Sequence, residues 1–310
     1  MKLIFMGTPD FAEASLKALI ESEHEIELVV TNPDKPKGRS KEMVMPPVKE
    51  LALKHNIPVY QTERLRNEDS IEYIMQYKPD AIIVVAFGQI VPKQILDLPK
   101  YGCINVHGSL LPEYRGAAPI QWAVIDGKKT AGVTTMLMDE GLDTGDMLLK
   151  AEIELDKKET GGSLFEKLAT LGAELLLKTL TKLEEGTIQP EKQDESKYTY
   201  AKMLKKEMGN IDFSKSAYEI ECLVRGLNPW PSAFTRLNDK TLKIWDCDVI
   251  EKEYDGAIGE VVELNKKQII VKTGKGAIAI NELQYEGKKR MTTEEFLRGA
   301  RIEENTILGW

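Results

Sequence analysis

A chain of 310 residues, 42% hydrophobic and 30% charged, is long enough for two cores and has the composition of a globular protein. No apolar run approaches bilayer-spanning length, the first residues lack a signal-peptide pattern, and three scattered cysteines without a Cys-x-x-Cys argue against a disulfide framework or structural zinc. The net charge of −8 weighs mildly against a nucleic-acid partner, but the acidic excess lies in the first 200 residues and the stretch 266–290 is locally basic. The expectation is a cytoplasmic protein with no membrane, no metal and no obligate protein partner.

Residues 2–6 predict a buried strand that ends in Gly7-Thr-Pro-Asp10. That turn lacks Gly-x-Gly-x-x-Gly and is a poor cradle for a pyrophosphate, which disfavours a nicotinamide dehydrogenase. A helical pattern follows over 11–19 and a second strand over 26–30. In the next loop Lys35, Lys37, Arg39 and Lys41 alternate with Pro, Gly and Ser. Such a segment resists helix formation and can extend along an anionic partner. Residues 47–55 and 67–77 read as helices. The unbroken apolar run 81–86 and the run 101–106 read as parallel strands buried on both faces. This alternation implies a doubly wound α/β sheet, in which ligands sit beyond the carboxyl ends of the strands.

Strands predicted over 130–138 and 147–155 flank the loop Asp139-Glu-Gly-Leu-Asp-Thr-Gly-Asp146. A leucine stripe predicts one long helix over 163–185, ended by Gly186. Residues 187–200 are polar and aperiodic, as in a linker. A helix near 214–226 and four short strands near 242–250, 257–264, 267–273 and 277–284 then suggest a small barrel, with a last helix at 293–299. The expected domains are 1–189 and 207–310, joined by a linker over 190–206.

Asn105 and His107 stand at i and i+2 where the 101–106 strand meets its loop, so their side chains share one face. A carboxamide can donate to a developing oxyanion and an imidazole can move a proton. A working histidine needs a partner that orients it and balances its charge. Asp143 offers that group, with Asp139, Glu140 and Asp146 as competitors. Asp143 is expected to hold the ring in one tautomer. Ser109 has no Gly-x-Ser-x-Gly setting, and nothing supports a nucleophile.

Five blocks carry a resemblance that spans nearly the whole chain: Phe5-Met-Gly-Thr-Pro-Asp-Phe11, Asn32-Pro-Asp-Lys-Pro-Lys-Gly-Arg39, Asn105-Val-His-Gly-Ser-Leu-Leu-Pro112 with Arg115-Gly-Ala-Ala-Pro-Ile-Gln121, Met138-Asp-Glu-Gly-Leu-Asp-Thr-Gly-Asp-Met147, and Asn228-Pro-Trp-Pro231. Together they resemble the methionyl-tRNA formyltransferase family of folate-dependent formyltransferases. The resemblance implies a Rossmann-like formyltransferase domain followed by a small OB-type β-barrel. It implies transfer of a formyl group from 10-formyltetrahydrofolate to the α-amine of methionine on initiator methionyl-tRNA. Asn105, His107 and Asp143 match the family's catalytic trio. Ser109, Leu110, Leu111 and Pro112 match its tetrahydrofolate segment. Arg39, with Lys35, Lys37 and Lys41, matches the loop that meets the tRNA acceptor end. With an OB-type barrel implied, Lys266, Lys267, Lys288, Lys289 and Arg290 become candidate phosphate contacts. The rivals are a formyltransferase acting on another nucleotide-linked amine, a hydrolase of the folate donor, and a non-catalytic tRNA- or folate-binding protein.

Overall fold

Every side chain of Ala81–Val85 is apolar and buried, and this strand lies at the middle of a seven-stranded sheet. A strand with no polar face needs cover on both sides, which only helices on the two faces of a sheet supply. The computed structural model describes residues 1–37, 42–299 and 302–309. The chain divides into two compact units. Met1–Gly116, Thr130–Ile153 and Phe165–Tyr200 form the first, and Ala117–Lys129, Glu154–Leu164 and Ala201–Trp310 the second.

In chain order the elements through residue 201 are β1 (Lys2–Gly7), α1 (Asp10–Ile20), β2 (Glu25–Thr31), β3 (Lys35–Lys37), β4 (Glu42–Val44), α2 (Pro47–Lys54), β5 (Val59–Gln61), α3 (Glu68–Met75), β6 (Ala81–Val85), α4 (Lys93–Leu96), β7 (Cys103–His107), β8 (Arg115–Gly116), α5 (Pro119–Ile125), β9 (Thr130–Leu137), β10 (Met147–Glu154), α6 (Gly161–Glu184) and β11 (Tyr200–Ala201). The sheet order is β10-β9-β7-β6-β1-β2-β5. Strands β5, β2, β1, β6 and β7 run parallel, whereas β9 pairs with β7 antiparallel. The sheet is therefore mixed, and the 138–146 loop leaves β9 at Leu137, opposite Ile104 near the amino end of β7. Ile4, Met6, Leu28, Val30, Ile82 and Val84 join one core cluster. Their neighbours Leu3, Phe5, Val29 and Ile83 are equally buried. In α6 the leucine stripe is packing: Leu164, Leu168, Leu175, Leu176 and Leu180 are buried. Buried Thr179 of this helix shares a 2.8 Å hydrogen bond with Thr135 of β9.

The segment expected as a linker is ordered. Tyr200–Ala201 pairs with Arg115–Gly116, and Gln193 is buried. The Gln193 and Thr199 side chains bond main-chain groups of the 114–145 region, a use that composition alone does not distinguish from solvent exposure.

The later elements are α7 (Ala217–Gly226), β12 (Ala233–Leu237), β13 (Lys240–Ile250), β14 (Val261–Leu264), β15 (Ile269–Lys272), β16 (Ala277–Tyr285), β17 (Met291–Thr292) and α8 (Thr293–Gly299). Helix α7 starts at a capping box. The Ser216 hydroxyl accepts from the Glu219 N–H, and the Glu219 carboxylate accepts from the Ser216 N–H at 2.9 Å. The strands form an antiparallel β-barrel domain in the order β12-β13-β16-β15-β14, with β17 also on β16. Ile244, Cys247, Val261, Ile269, Val271, Ile278, Ile280 and Leu283 fill it, with Ile220 and Val224 of α7. Among the described residues no helix is long and apolar enough to cross a membrane.

One close approach is open to test. A Cβ added at Gly132 of β9 would lie 2.2 Å from the Ala151 carbonyl oxygen and 2.5 Å from a Leu110 methyl. The carbonyl belongs to the sheet and cannot step aside. Gly132→Ala should therefore lose about 3 kcal/mol, at the upper end of ordinary overpacking costs. Urea unfolding measures this, and an unchanged midpoint would refute it.

Candidate active site

Strand β7 places two polar side chains at its end because it alternates. Asn105 and His107 share a face, and the ladder fixes them from both sides. Asn105 lies opposite Val84 of β6 and Met136 of β9, and His107 opposite Thr134. His107 is 6% exposed. Its Nε2 lies 2.9 Å from the Tyr114 carbonyl oxygen. A carbonyl oxygen only accepts, so Nε2 carries the hydrogen and donates. The Tyr114 N–H in turn donates to Thr199 Oγ1 at 2.8 Å.

The third group arrives from the 138–146 loop. Asp143 Oδ1 lies 3.7 Å from His107 Nδ1 and 3.4 Å from Asn105 Nδ2, which donates to it. Asp143 Oδ2 accepts from the Gly116 N–H at 2.8 Å. The three predicted catalytic side chains thus come together. The expected hold of Asp143 on the tautomer is corrected: 3.7 Å is too long for a hydrogen bond. The Tyr114 carbonyl sets the tautomer instead. Asp143 supplies a charge facing the free side of the ring.

Asp139, a competitor for that role, has ordinary turn chemistry. Its Oδ1 accepts from the Gly141 N–H at 2.9 Å and from the Thr144 hydroxyl at 2.7 Å. Glu140 is exposed. The loop closes tightly at Gly145, where a Cβ would sit 1.7 Å from the Leu137 carbonyl oxygen. Asp143 itself holds a left-handed backbone, with φ of 54°. Two residues that the sequence reading gave no role keep it there. Gln193 donates its amide to the carbonyls of Asp143 and Gly145, both at 2.8 Å. Arg115 donates Nε to Gln193 Oε1 at 2.9 Å and grips Glu195 with its other two nitrogens, at 2.7 and 3.1 Å. That guanidinium holds the Glu195 carboxyl below its ordinary pKa. Arg115 was visible as a member of a motif. Gln193 sits in a polar stretch and leaves no signal in the sequence.

Among the described residues, nucleophilic chemistry has no candidate near the trio. Burial pushes the Cys103 thiol up to about 12, so it stays protonated at neutral pH. The Ser109 hydroxyl donates to the Glu113 carbonyl at 2.6 Å.

The predicted folate segment is partly internal. Ser109 and Leu111 are buried, and Leu111 packs with Met136 and Met147. Leu110, half-buried, lies over Gly132, and Pro112 is half-buried. A separate concavity of about 230 Å³ is lined by Thr8, Pro9, Asn32, Pro33, Lys35 and Pro36 with residues 44–47. The trio does not line it.

The predicted cations fall into four groups. Lys35 is exposed on β3, which pairs with β4, and Lys37 follows on the same strand. Arg39 and Lys41 lie outside the described residues. Lys266, Lys267, Lys288 and Lys289 are exposed at strand-connecting turns of the barrel domain. Arg290 is engaged within the protein: it pairs with Glu282, and its guanidinium lies 4.7 Å from the Trp245 ring centre.

Residues 1–180 match the family model described as formyl transferase, and residues 203–301 match that of the formyl transferase C-terminal domain. A methionyl-tRNA formyltransferase from Lachnospira eligens is 56% identical over 314 aligned residues, covering all of both chains. One from Clostridioides difficile is 52% identical over 309 residues, again covering all of both. Among solved structures, an N-formyltransferase from Helicobacter canadensis in complex with folinic acid and dTDP-3-aminofucose superposes with a TM-score of 0.65 at 19% identity. The match covers 92% of this chain and 99% of that one. HypX from Aquifex aeolicus in complex with tetrahydrofolic acid gives 0.61 at 18% identity, over 99% of this chain and 50% of its own. At such identities the solved structures show the fold alone.

Asp143→Asn tests the trio. The amide oxygen can still accept from the Gly116 N–H, so folding should survive, but the charge facing His107 is lost. If Asp143 assists proton movement, turnover should fall about 100- to 10,000-fold. Steady-state kinetics beside a thermal melt decides, and near-normal turnover in a folded variant removes Asp143 from the trio.

Proposed function

This chain belongs to the formyl transferase family, and we propose that it transfers a formyl group from 10-formyltetrahydrofolate to the α-amine of initiator methionyl-tRNA. The observation that carries this reading is the likeness along the entire chain, barrel domain included, to relatives named methionyl-tRNA formyltransferase. The convergence of Asn105, His107 and Asp143 supplies chemistry suited to it. Such a substrate places the enzyme with the translation apparatus, in the cytoplasm.

The reaction joins the amine nitrogen to the formyl carbon and breaks the bond from that carbon to the folate nitrogen. One proton passes from the amine to the folate nitrogen. With Nε2–H held by Tyr114, the free ring position of His107 is Nδ1, which takes that proton and returns it. Asp143 offsets the imidazolium charge while the proton is held. Negative charge gathers on the formyl oxygen during attack. The second N–H of the Asn105 amide is the donor for it, joined by Nδ1–H when the ring is protonated. One donor of this kind is typically worth about 3–4 kcal/mol.

Half-buried Leu110 and Pro112 are the members of the 109–112 segment with surface to offer the folate, whereas buried Ser109 and Leu111 shape the turn that carries them. Phosphates attract cations, and each such contact adds to the salt dependence of binding. Lys35 and Lys37 of β3, Arg39 and Lys41 that follow them in sequence, and Lys266, Lys267, Lys288 and Lys289 on the barrel are the residues assigned to the tRNA. Arg290 is a weaker assignment, because Glu282 already balances its charge.

Labelled 10-formyltetrahydrofolate should pass its label to methionyl initiator tRNA, with little transfer to a nucleotide-linked amino sugar and little release as formate. Label on the sugar, or formate alone, would overturn the assignment. Lys288→Ala with Lys289→Ala should raise KM for tRNA, leave KM for folate unchanged, and lower the salt slope by about two. An unchanged slope would take these lysines off the tRNA surface.

A further inference from the structure

We infer that Gln193, oriented by Arg115, is a positioning residue that sets the Asp143 carboxylate against His107. The inference rests on the formyl-transfer reading for its kinetic consequences, but the geometry behind it stands by itself.

A glutamine side chain has one accepting end and one donating end. Gln193 points its accepting end at Arg115 Nε and its donating end at two main-chain carbonyls, Asp143 and Gly145. Turning the amide over would set its N–H groups against a guanidinium and its oxygen against two carbonyls. Arg115 therefore fixes which way the amide faces. Its own position is fixed in turn by the two-pronged grip on Glu195 and by the Tyr198 ring, 5.1 Å from the guanidinium. Arg115 is 5% exposed and Gln193 is 8% exposed, so the bond between them forms where water competes little.

The two carbonyls that Gln193 holds flank the turn that aims Asp143. Asp143 holds φ at 54°, which side chains other than Gly adopt reluctantly. The Gly116 N–H anchors the carboxylate at one oxygen, and Gly116 directly follows Arg115. One arginine thus carries both supports, the Gly116 amide through its backbone and the Gln193 amide through its side chain. Among the described residues no hydrogen bond joins Gln193 to Asn105 or His107, so its hold on the trio runs through Asp143.

Gln193→Glu is the informative variant. It keeps the shape and still accepts from Arg115, but it replaces the donor to the two carbonyls with a repelling oxygen. Misplacement of a catalytic group by an ångström can cost about 100-fold, so kcat should fall about 10- to 100-fold, with KM for folate and tRNA changed less than about threefold. In an Asp143→Asn background the same change should cost less than about threefold, because residues acting as a unit are not additive. Amide hydrogen exchange at Gly116 should speed up about tenfold or more, a reading of local opening that needs no turnover. If Gln193→Glu does not fold, Gln193→Met removes the same donor without adding charge. Unchanged kcat, losses that multiply in the double variant, or unaltered Gly116 exchange would overturn the inference. A wild-type enzyme that formylates no acceptor would overturn the functional reading instead, while Gly116 exchange would still judge the positioning.

Discussion

The site depends on a carboxylate delivered from a backbone that resists its shape. A left-handed φ costs an L-residue about 1–2 kcal/mol, least for Asp and Asn. At Asp143 that conformation is held from three directions: the Gly116 N–H on the carboxylate, the Gln193 amide on the carbonyl, and the bare backbone of Gly145 against Leu137. Strain of this kind persists only where its surroundings over-determine it. The supports come from β8, from the 190–199 stretch and from β9, so the loop is specified by parts of the chain far apart in sequence. Strand β9 ends opposite Ile104, so the loop must fold back along β7 to reach His107, and these supports hold it there.

The imidazole is specified in the same way, by a neighbour that does no chemistry. The Tyr114 carbonyl claims the Nε2 hydrogen, and Tyr114 also sits at a positive φ, of 59°. Its N–H is tied to Thr199, and the Arg115 N–H to the Thr199 carbonyl at 2.9 Å. The main chain at 114 and 115 is therefore tied to Thr199, and this stretch meets both side chains: the carbonyl of Tyr114 orients the His107 ring, and the amide of Gly116 anchors the Asp143 carboxylate. A ring with one nitrogen committed to a carbonyl has a single position left for proton traffic, the one that faces Asp143.

Much of this was legible in the sequence where the signal was local. The unbroken apolar run 81–86 announces a strand covered on both faces, and the i, i+2 spacing of Asn105 and His107 puts them on one side of a strand end. The local pattern alone did not separate Asp143 from Asp139, because each stands two residues before a Gly in one turn-rich loop; only the family resemblance singled Asp143 out. Gln193 and Thr199 were invisible for a different reason. Their partners are main-chain carbonyls and amides 48 and 85 residues away, and main-chain groups leave no mark on composition. A polar stretch that pairs with buried backbone reads the same as one that meets water. The group expected to hold the tautomer was a side chain, Asp143, and the carbonyl that holds it was invisible on the same account.

The distribution of charge bears on how an acidic enzyme meets a polyanion. A net charge of −8 repels tRNA at long range, but beyond about 10 Å at ordinary salt that field is largely screened. Within that distance only local cations count, and they contribute in proportion to how little they are neutralised by their own protein. Arg290 carries its counter-ion with it and a face of Trp245 besides, so a phosphate gains little by approaching it. Lys266, Lys267, Lys288 and Lys289 stand exposed at strand-connecting turns instead. Basic residues read from sequence are therefore unequal candidates. The structure sorts them by what each has already paired with, which argues for turn lysines over a stacked arginine as the phosphate-binding edge of this domain.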